Sequence, residues 1–489
     1  MSEEPTSDVL AAVTRRSATA GPAFVPAARI AGRTYEGEPH DVPNPATGET
    51  LARVGWADVG EVDAAVAAAR AAAAEWGATP PRTRAVALRG IAQTLRDNTD
   101  ALAELISAES GKRLAEATGE VGFSAQYFDW FADATTQPRG EHYVNAARRF
   151  IVQRKPVGVV AAVSPWNFPL SIPARKVAPA LGAGCPVVQK ASELTPLTSV
   201  AFTELAEPHL PEGLLGVLVG DGEKLTTALI DHRDVAAVTF TGSTRVGAAV
   251  AERAMRTMTR VTMELGGKAP FVVCADADLD VALEALLVAK FRNNGASCIA
   301  ANNVFIHESV YDEFVGRLRT RVGEITVADP ADSASGLGPL LRPEHAERMD
   351  TLLALAEADG CSVTVGRYGP SHGWYAAPAV VEVRRDTAVW DEEIFGPICA
   401  VRPFASEDHV VAEVRSWRIG LGGYVMSADA EHAAALASRL DVGIVGINNG
   451  APNTPEVPFG GIGYSGLGRE GGIAGLLEFT EEQTLSFAR

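Results

Sequence analysis

The residues with chemistry to offer stand in a few short strings. FRNNGASC, Phe291 to Cys298, ends in a thiol that follows a loop carrying Gly295 and Ser297 and precedes the small-residue stretch IAANN. Small residues let backbone amides come close to a bound atom, and a cysteine in such a loop is a candidate nucleophile. Read alone, Cys298 fits a small buried hydrophobe equally, which is the commoner fate of a free thiol. Cys185, Cys274 and Cys399 lie inside apolar, strand-like runs, where burial raises the thiol pKa and suppresses reactivity. In VTMELGGKAP, Glu264 closes an apolar run just before Gly266 and Gly267. It is either a strand-end surface carboxylate or a base held over a cleft. Cys298 lies 34 residues further on, room for one helix between two loops that converge.

SPWNFP, Ser164 to Pro169, follows the run VGVVAAV and clamps Trp166 and Asn167 between prolines. That rigidity suits an amide pre-aimed at a developing oxyanion, and suits a tight turn with a packing aromatic no less. VTFTGSTRVG leads from a strand through Gly242, Ser243 and Thr244 into an amphipathic helix, a plausible phosphate site at a helix N-terminus. A formal G-x-G-x-x-G at Gly461, Gly463 and Gly466 follows the proline-rich PNTPEVPF instead of a strand, and reads as a glycine-rich loop. No C-x-x-C, H-E-x-x-H or Walker loop occurs, so the motifs indicate no metal site.

The elements that must position these strings follow from periodicity. Asp58 caps an Ala-rich helix expected to stop at Gly77, and amphipathic helices follow over Pro80 to Asp97 and Thr99 to Ser110. From Lys155, short β-rich runs (VGVVAAVSP, GCPVVQKA, GLLGVLVG, VAAVTFTG, APFVVCA) alternate with helical stretches, and a second set (NNVFIHES, GPICAVRPF, GLGGYVMS, GIVGINN) lies beyond Phe291. Alternation of this kind implies parallel α/β sheets. The segment from Ala134 to Gln153 and the C-terminal LLEFTEEQTLSFAR read as β-ribbons, either surface hairpins or a sheet that pairs with another subunit.

With 489 residues the chain divides into two or three domains. A net charge of -18 with no basic run excludes a nucleic-acid partner. The acidic start MSEEPTSDVLAAVTRR lacks a secretory signal, no apolar run spans a bilayer, and five scattered cysteines fit free thiols in a reducing cytoplasm. No membrane association is expected.

In this order, SPWNFP, FTGSTRVG, MELGGK, FRNNGASC, EEIFGP and PFGG resemble the aldehyde dehydrogenase superfamily over nearly the whole chain, with the succinate-semialdehyde dehydrogenase group as the nearest likeness. The resemblance implies an α/β fold: a Rossmann-like cofactor domain (1–133 and 154–264), an α/β catalytic domain (265–470), and an oligomerisation ribbon (134–153 and 471–489) of a homodimer or homotetramer. It implies Cys298 as nucleophile, Glu264 as general base, and Asn167 with the Cys298 amide as oxyanion hole. Lys190 and Glu193 would meet the adenine ribose, Ser243 the pyrophosphate, and Glu393 and Phe395 the nicotinamide ribose, with Trp166 lining the cleft. Glu193 would accept from a ribose hydroxyl and repel a 2′-phosphate, so NAD is preferred and NADP possible. Arg175, Arg292 and Ser465 resemble the residues that hold the distal carboxylate of succinate semialdehyde. Ala296, Ala300, Asn303 and the Gly463-Tyr464 pair, near the active-site loop, depart from the family pattern. The expected activity is NAD(P)-dependent oxidation of a small aldehyde to its acid through a cysteine thioester; the alternatives are another aliphatic or aromatic aldehyde, or a non-catalytic relative.

Overall fold

A computed structural model describes residues 7, 9–10, 23–137 and 140–488; most of the acidic N-terminal segment lies outside them. Two sheets dominate. The first has eight strands in the order Gly466–Leu467, Arg260–Glu264, Val235–Thr241, Val159–Val163, Val187–Lys190, Leu215–Leu218, Ala28–Ile30, Arg33–Tyr35. The five from Arg260–Glu264 to Leu215–Leu218 are mutually parallel. The strands Val159–Val163, Val187–Lys190 and Leu215–Leu218 are buried at every position, as continuous apolar runs require when helices cover both faces. Lys190, Thr241 and Glu264 each end a strand, so one edge of this sheet gathers the polar groups.

The second sheet runs Ser362–Val365, Ala379–Glu382, Ile398–Phe404, Ala301–His307, Ala269–Val273, Gly422–Met426, Ile444–Ile447, with only Ser362–Val365 antiparallel. Helices Leu279–Phe291 and Tyr311–Glu324 pack a core on one face. Helices Pro343–Ala358, Glu407–Ser416 and Ala430–Ala437 pack the other. Gly267 and Cys298 stand just before two of its strands, so the N-terminal edge of this sheet faces the C-terminal edge of the first.

The two ribbon segments join each other. Strand Thr480–Ala488 pairs antiparallel with Arg148–Pro156, which pairs with Gly140–Val144, and the sheet exposes Tyr143, Val144 and Phe487. Three boundaries differ from expectation. The helix capped by Asp58 and Glu61 runs through Gly77 to Ala78; Gly77 serves contact with Pro156, and Pro80 and Pro81 stop the helix. The helix Leu114–Thr136 continues past Ala134, and the ribbon begins at Gly140. Within 265–470, Gly466–Leu467 crosses back to pair with Met263 and Glu264 at the edge of the first sheet.

Candidate active site

The loop carrying Cys298 is built by asparagine and glycine. After helix Leu279–Phe291, capped by Asp278, Asn293, Asn294 and Gly295 take φ of 55, 56 and 77°. Asparagine tolerates this left-handed region better than most side chains, and here the amides hold the loop in place. Asn293 Nδ2 donates to the carbonyls of Asn167 (2.8 Å) and Ala296 (2.9 Å). Asn294 donates to Pro339 O at 2.8 Å and accepts from Gly338 N–H at 2.8 Å. A Cβ on Gly295 would fall 2.3 Å from Gly396 O, so only glycine lets the loop rest on the EEIFGP turn. The sequence marked this loop for its small residues and missed the asparagines that lock it.

Cys298 opens on a cavity of about 350 Å³ whose walls include Tyr127, Phe168, Arg175, Arg292 and Phe459. Burial pushes its thiol up to about 12, against the pull of the Arg175 charge. Burial raises Cys185 to about 11 and Cys274 and Cys399 to about 12. Thiol acidity therefore does not single out Cys298; access to the cavity and a neighbouring carboxylate do. That carboxylate is Glu264, last residue of its strand and buried, with neither oxygen holding a hydrogen-bond partner. Burial first, and then the Glu470 charge, raise it well above the usual carboxylate range, with Arg175 opposing. Two glycines make the arrangement close: a Cβ on Gly460 would sit 2.8 Å from Glu264 Oε1, and one on Gly267 would sit 2.5 Å from Cys298 O.

Asn167 is likewise buried, and its Nδ2 donates one hydrogen to Ala296 O at 3.1 Å. The turn that carries it is held by Lys112 Nζ on Asn167 O at 3.1 Å and by Glu120, which accepts from Leu170 N–H (3.0 Å) and Ser171 N–H (3.1 Å). Lys112 and Glu120 pair with each other in full burial.

Further polar groups stand at the C-terminal edge of the first sheet. Lys190 Nζ and Glu193 Oε2 pair at 2.7 Å, and a Cβ on Gly222 would stand 3.3–3.4 Å from both, so glycine keeps them uncrowded. Ser243 caps helix Thr244–Met255, accepting from Val246 N–H at 3.4 Å. Glu393 Oε1 accepts from Gly267 N–H at 3.2 Å, and a Cβ on Gly266 would fall 2.6 Å from Glu393 Oε2. Burial raises Glu393 to about 7, with the Gly267 bond opposing. Trp166 lies edge-on to Phe395 at 5.4 Å and stacks on His345 at 5.1 Å. A carboxylate paired with a lysine, a helix N-terminus and a second carboxylate reached across a glycine are groups of the kind that suit a dinucleotide.

The three residues expected at a substrate carboxylate separate. Arg292 lines the cavity, its guanidinium 6.0 Å from the Phe168 ring, and no described carboxylate pairs with it. Arg175 lines the cavity but is spent on Glu470 at 2.5 Å, which also holds Lys176 at 2.5 Å and Thr239 at 3.1 Å. Ser465 is fully buried, donates to Gly266 O at 2.8 Å and does not line the cavity; its hydroxyl braces the Glu264 loop. Among the unusual positions, Ala296 offers its carbonyl to Asn167 and Asn293, and buried Asn303 donates to Trp390 O at 2.8 Å. Ala300 is buried, and Tyr464 is exposed under Arg418 at 5.0 Å.

A profile described as "Aldehyde dehydrogenase family" matches residues 33–485. The NADP(+) succinate-semialdehyde dehydrogenase GabD of Escherichia coli K12 is 36% identical over 91% of this chain and 93% of its own length. The glutarate-semialdehyde dehydrogenase of Pseudomonas aeruginosa is 36% identical over 91% and 93%. The crystal structure of succinate-semialdehyde dehydrogenase from Burkholderia pseudomallei superposes with a TM-score of 0.92 at 38% identity, covering 94% of this chain and 98% of that one. By the profile match over nearly its whole length, this chain belongs to the aldehyde dehydrogenase family, oxidoreductases that use NAD(P).

Proposed function

We propose that the protein oxidises a small aldehyde bearing a distal carboxylate, of the succinate- or glutarate-semialdehyde kind, to the dicarboxylic acid. The observation that carries this reading is Arg292, a cation in the wall of the Cys298 cavity with no carboxylate partner among the described residues. Its planar fork suits a bound carboxylate. The names of the two relatives, which act on such semialdehydes, support it.

Glu264 takes the Cys298 Sγ proton and passes it to solvent, the sulfur bonds to the aldehyde carbon, and Asn167 Nδ2 uses its second hydrogen to hold the oxyanion. NAD(P), held by Lys190, Glu193, Ser243 and Glu393 with Trp166 and Phe395 alongside, supplies a hydride acceptor. Cys298 then carries the acyl group as a thioester. Glu264 takes a proton from water, the water oxygen attacks the thioester carbon, and the Cys298 thiolate leaves. Glu264 has no hydrogen-bond partner, which leaves its carboxylate free to serve as proton acceptor in both halves.

NAD is the preferred cofactor in this reading, because Glu193 accepts from a ribose hydroxyl and repels a 2′-phosphate; Lys190, paired with it, tempers the repulsion and admits NADP. The three-stranded ribbon joins subunits of a homodimer or homotetramer, and the protein acts in the cytoplasm. No helix among the described residues is long and apolar enough to cross a membrane. An assay of succinate semialdehyde, glutarate semialdehyde and propanal with each cofactor tests the reading. A kcat/KM for propanal equal to that for the two semialdehydes contradicts it.

A further inference from the structure

The second sheet has two ends, and the crevice with Cys298 uses one. At the other, beyond the C-terminal ends of the parallel strands, lies a depression of about 550 Å³ whose walls include Asp276, His307, Glu407, Asp408 and His432. These walls follow the strands Ala269–Val273, Ala301–His307, Ile398–Phe404 and Gly422–Met426. The first two strands lead into helices on one face of the sheet, and the last two into helices on the other. Neighbouring strands whose connections leave toward opposite faces open a crevice between them, the place where open α/β sheets bind ligands.

Asp276 and His432 line it, and Cys274, buried beside them, completes a trio whose candidate ligand atoms all lie within 4.8 Å of one another. Each is oriented by its surroundings. Cys274 follows its strand directly and is held by its N–H on Met426 O at 2.9 Å. The Asp276 carboxylate accepts from Ser427 Oγ (2.8 Å) and Asp429 N–H (3.1 Å). His432 lies in the first turn of helix Ala430–Ala437, its N–H on Asp429 Oδ1 at 3.1 Å. Glu407 Oε1 stands 2.8 Å from His432 Nε2, so Nε2–H donates to it and Nδ1 keeps its lone pair. Nδ1 lies 3.4 Å from Ser427 Oγ, the hydroxyl held on Asp276, and so faces the Asp276 side. A carboxylate on the far nitrogen fixes the tautomer of a metal-binding histidine and raises its basicity.

We propose that Cys274 Sγ, the Asp276 carboxylate and His432 Nδ1 bind a divalent transition-metal ion of the zinc class, with water in the fourth position. One sulfur, one nitrogen and one carboxylate oxygen suit Zn²⁺ in tetrahedral geometry, while Ca²⁺ and Mg²⁺ favour oxygen alone. Binding forms the metal–sulfur bond and releases the thiol proton to solvent. Thiolate and carboxylate then balance the double positive charge of an ion held between buried Cys274, part-buried His432 and exposed Asp276. Seven residues of strand Ala301–His307, about 20 Å at the usual strand rise, separate this end of the sheet from Cys298. The ion therefore ties the strand ends together and takes no part in aldehyde oxidation.

The test uses chelator-treated full-length protein carrying Cys298→Ala, which removes the catalytic thiol as a competing ligand. Zn²⁺ titrated by calorimetry should saturate at one equivalent and raise the melting temperature, and Co²⁺ should give a thiolate charge-transfer band. Cys274→Ser should abolish that band. Asp276→Asn and His432→Ala should weaken binding at least tenfold, and Glu407→Gln by about 10–100-fold. If Cys274→Ser fails to fold, Asp276→Asn and His432→Ala carry the test. No stoichiometric uptake, a cobalt spectrum without the thiolate band, or uptake unchanged in these variants would overturn the proposal.

Discussion

Replacing Arg292 by alanine separates binding of a distal carboxylate from the chemistry at Cys298. Three cations line the cavity: Lys112 is paired with Glu120 and Arg175 with Glu470, while Arg292 pairs with no carboxylate among the described residues and has the Phe168 ring 6.0 Å away. A hydrogen bond to a charged group contributes roughly 1.5–3 kcal/mol, which at about 1.4 kcal/mol per tenfold is roughly 10- to 150-fold in affinity. Arg292→Ala should therefore raise the KM for succinate semialdehyde by about that factor, with the KM for propanal unchanged. Arg292→Lys keeps the charge without the fork and should fall between the two. Folding should change little, because no ion pair is broken and only a weak cation–ring contact, about 0.5–1 kcal/mol, is lost. Steady-state kinetics with the two aldehydes and thermal melts of the three proteins are the assays. A rise in KM equal for both aldehydes would place Arg292 in the general architecture and refute the argument.

Two further substitutions probe the surroundings. Glu470→Gln leaves Arg175 and Lys176 buried without their carboxylate, a change of the kind that costs about 3–5 kcal/mol, and should lower the melting temperature by several degrees. It also removes the negative charge that raises Glu264 while leaving the two cations that lower it. Because Glu264 must be ionised to act, wild-type activity should rise with pH, and in Glu470→Gln that rise should move to lower pH; a melting loss with an unmoved profile would contradict the coupling. Gly266→Ala would place a Cβ 2.6 Å from Glu393 Oε2. Displacing that carboxylate should weaken cofactor binding several-fold, read by quenching of tryptophan fluorescence, and unchanged affinity would remove Glu393 from the cofactor site.

What could be read in the sequence was local. Glu264, Asn167, Cys298 and Ser243 are marked by nearby glycine, proline or a change of period; the structure puts Glu264 at a strand end and Ser243 at a helix cap, and Asn167 and Cys298 in short loops between a strand and a helix. The partner of Arg175 could not be read this way. Glu470 is 295 residues distant, and nothing near either residue encodes the pairing. A trace existed in SIPARKVAPALGA, a helix buried at all positions that nonetheless carries Arg175 and Lys176 and so demands a buried acid. Gly77 misled because a glycine that ends a helix and one that lets a helix pack closely look alike in sequence. Ser465 was placed at the substrate by resemblance, yet its hydroxyl is committed to Gly266 O. His345, stacked on Trp166, carried no local signal.

In the proposed reaction Cys298 carries the acyl group and Glu264 brings in the water that removes it. Acid-quenching Glu264→Gln during turnover with NAD and succinate semialdehyde and weighing the intact protein separates these two roles. One acyl group per chain is expected, located on the peptide containing Cys298 and absent when Cys298→Ala is added. An unmodified mass with turnover continuing, or a label on any other residue, would contradict it.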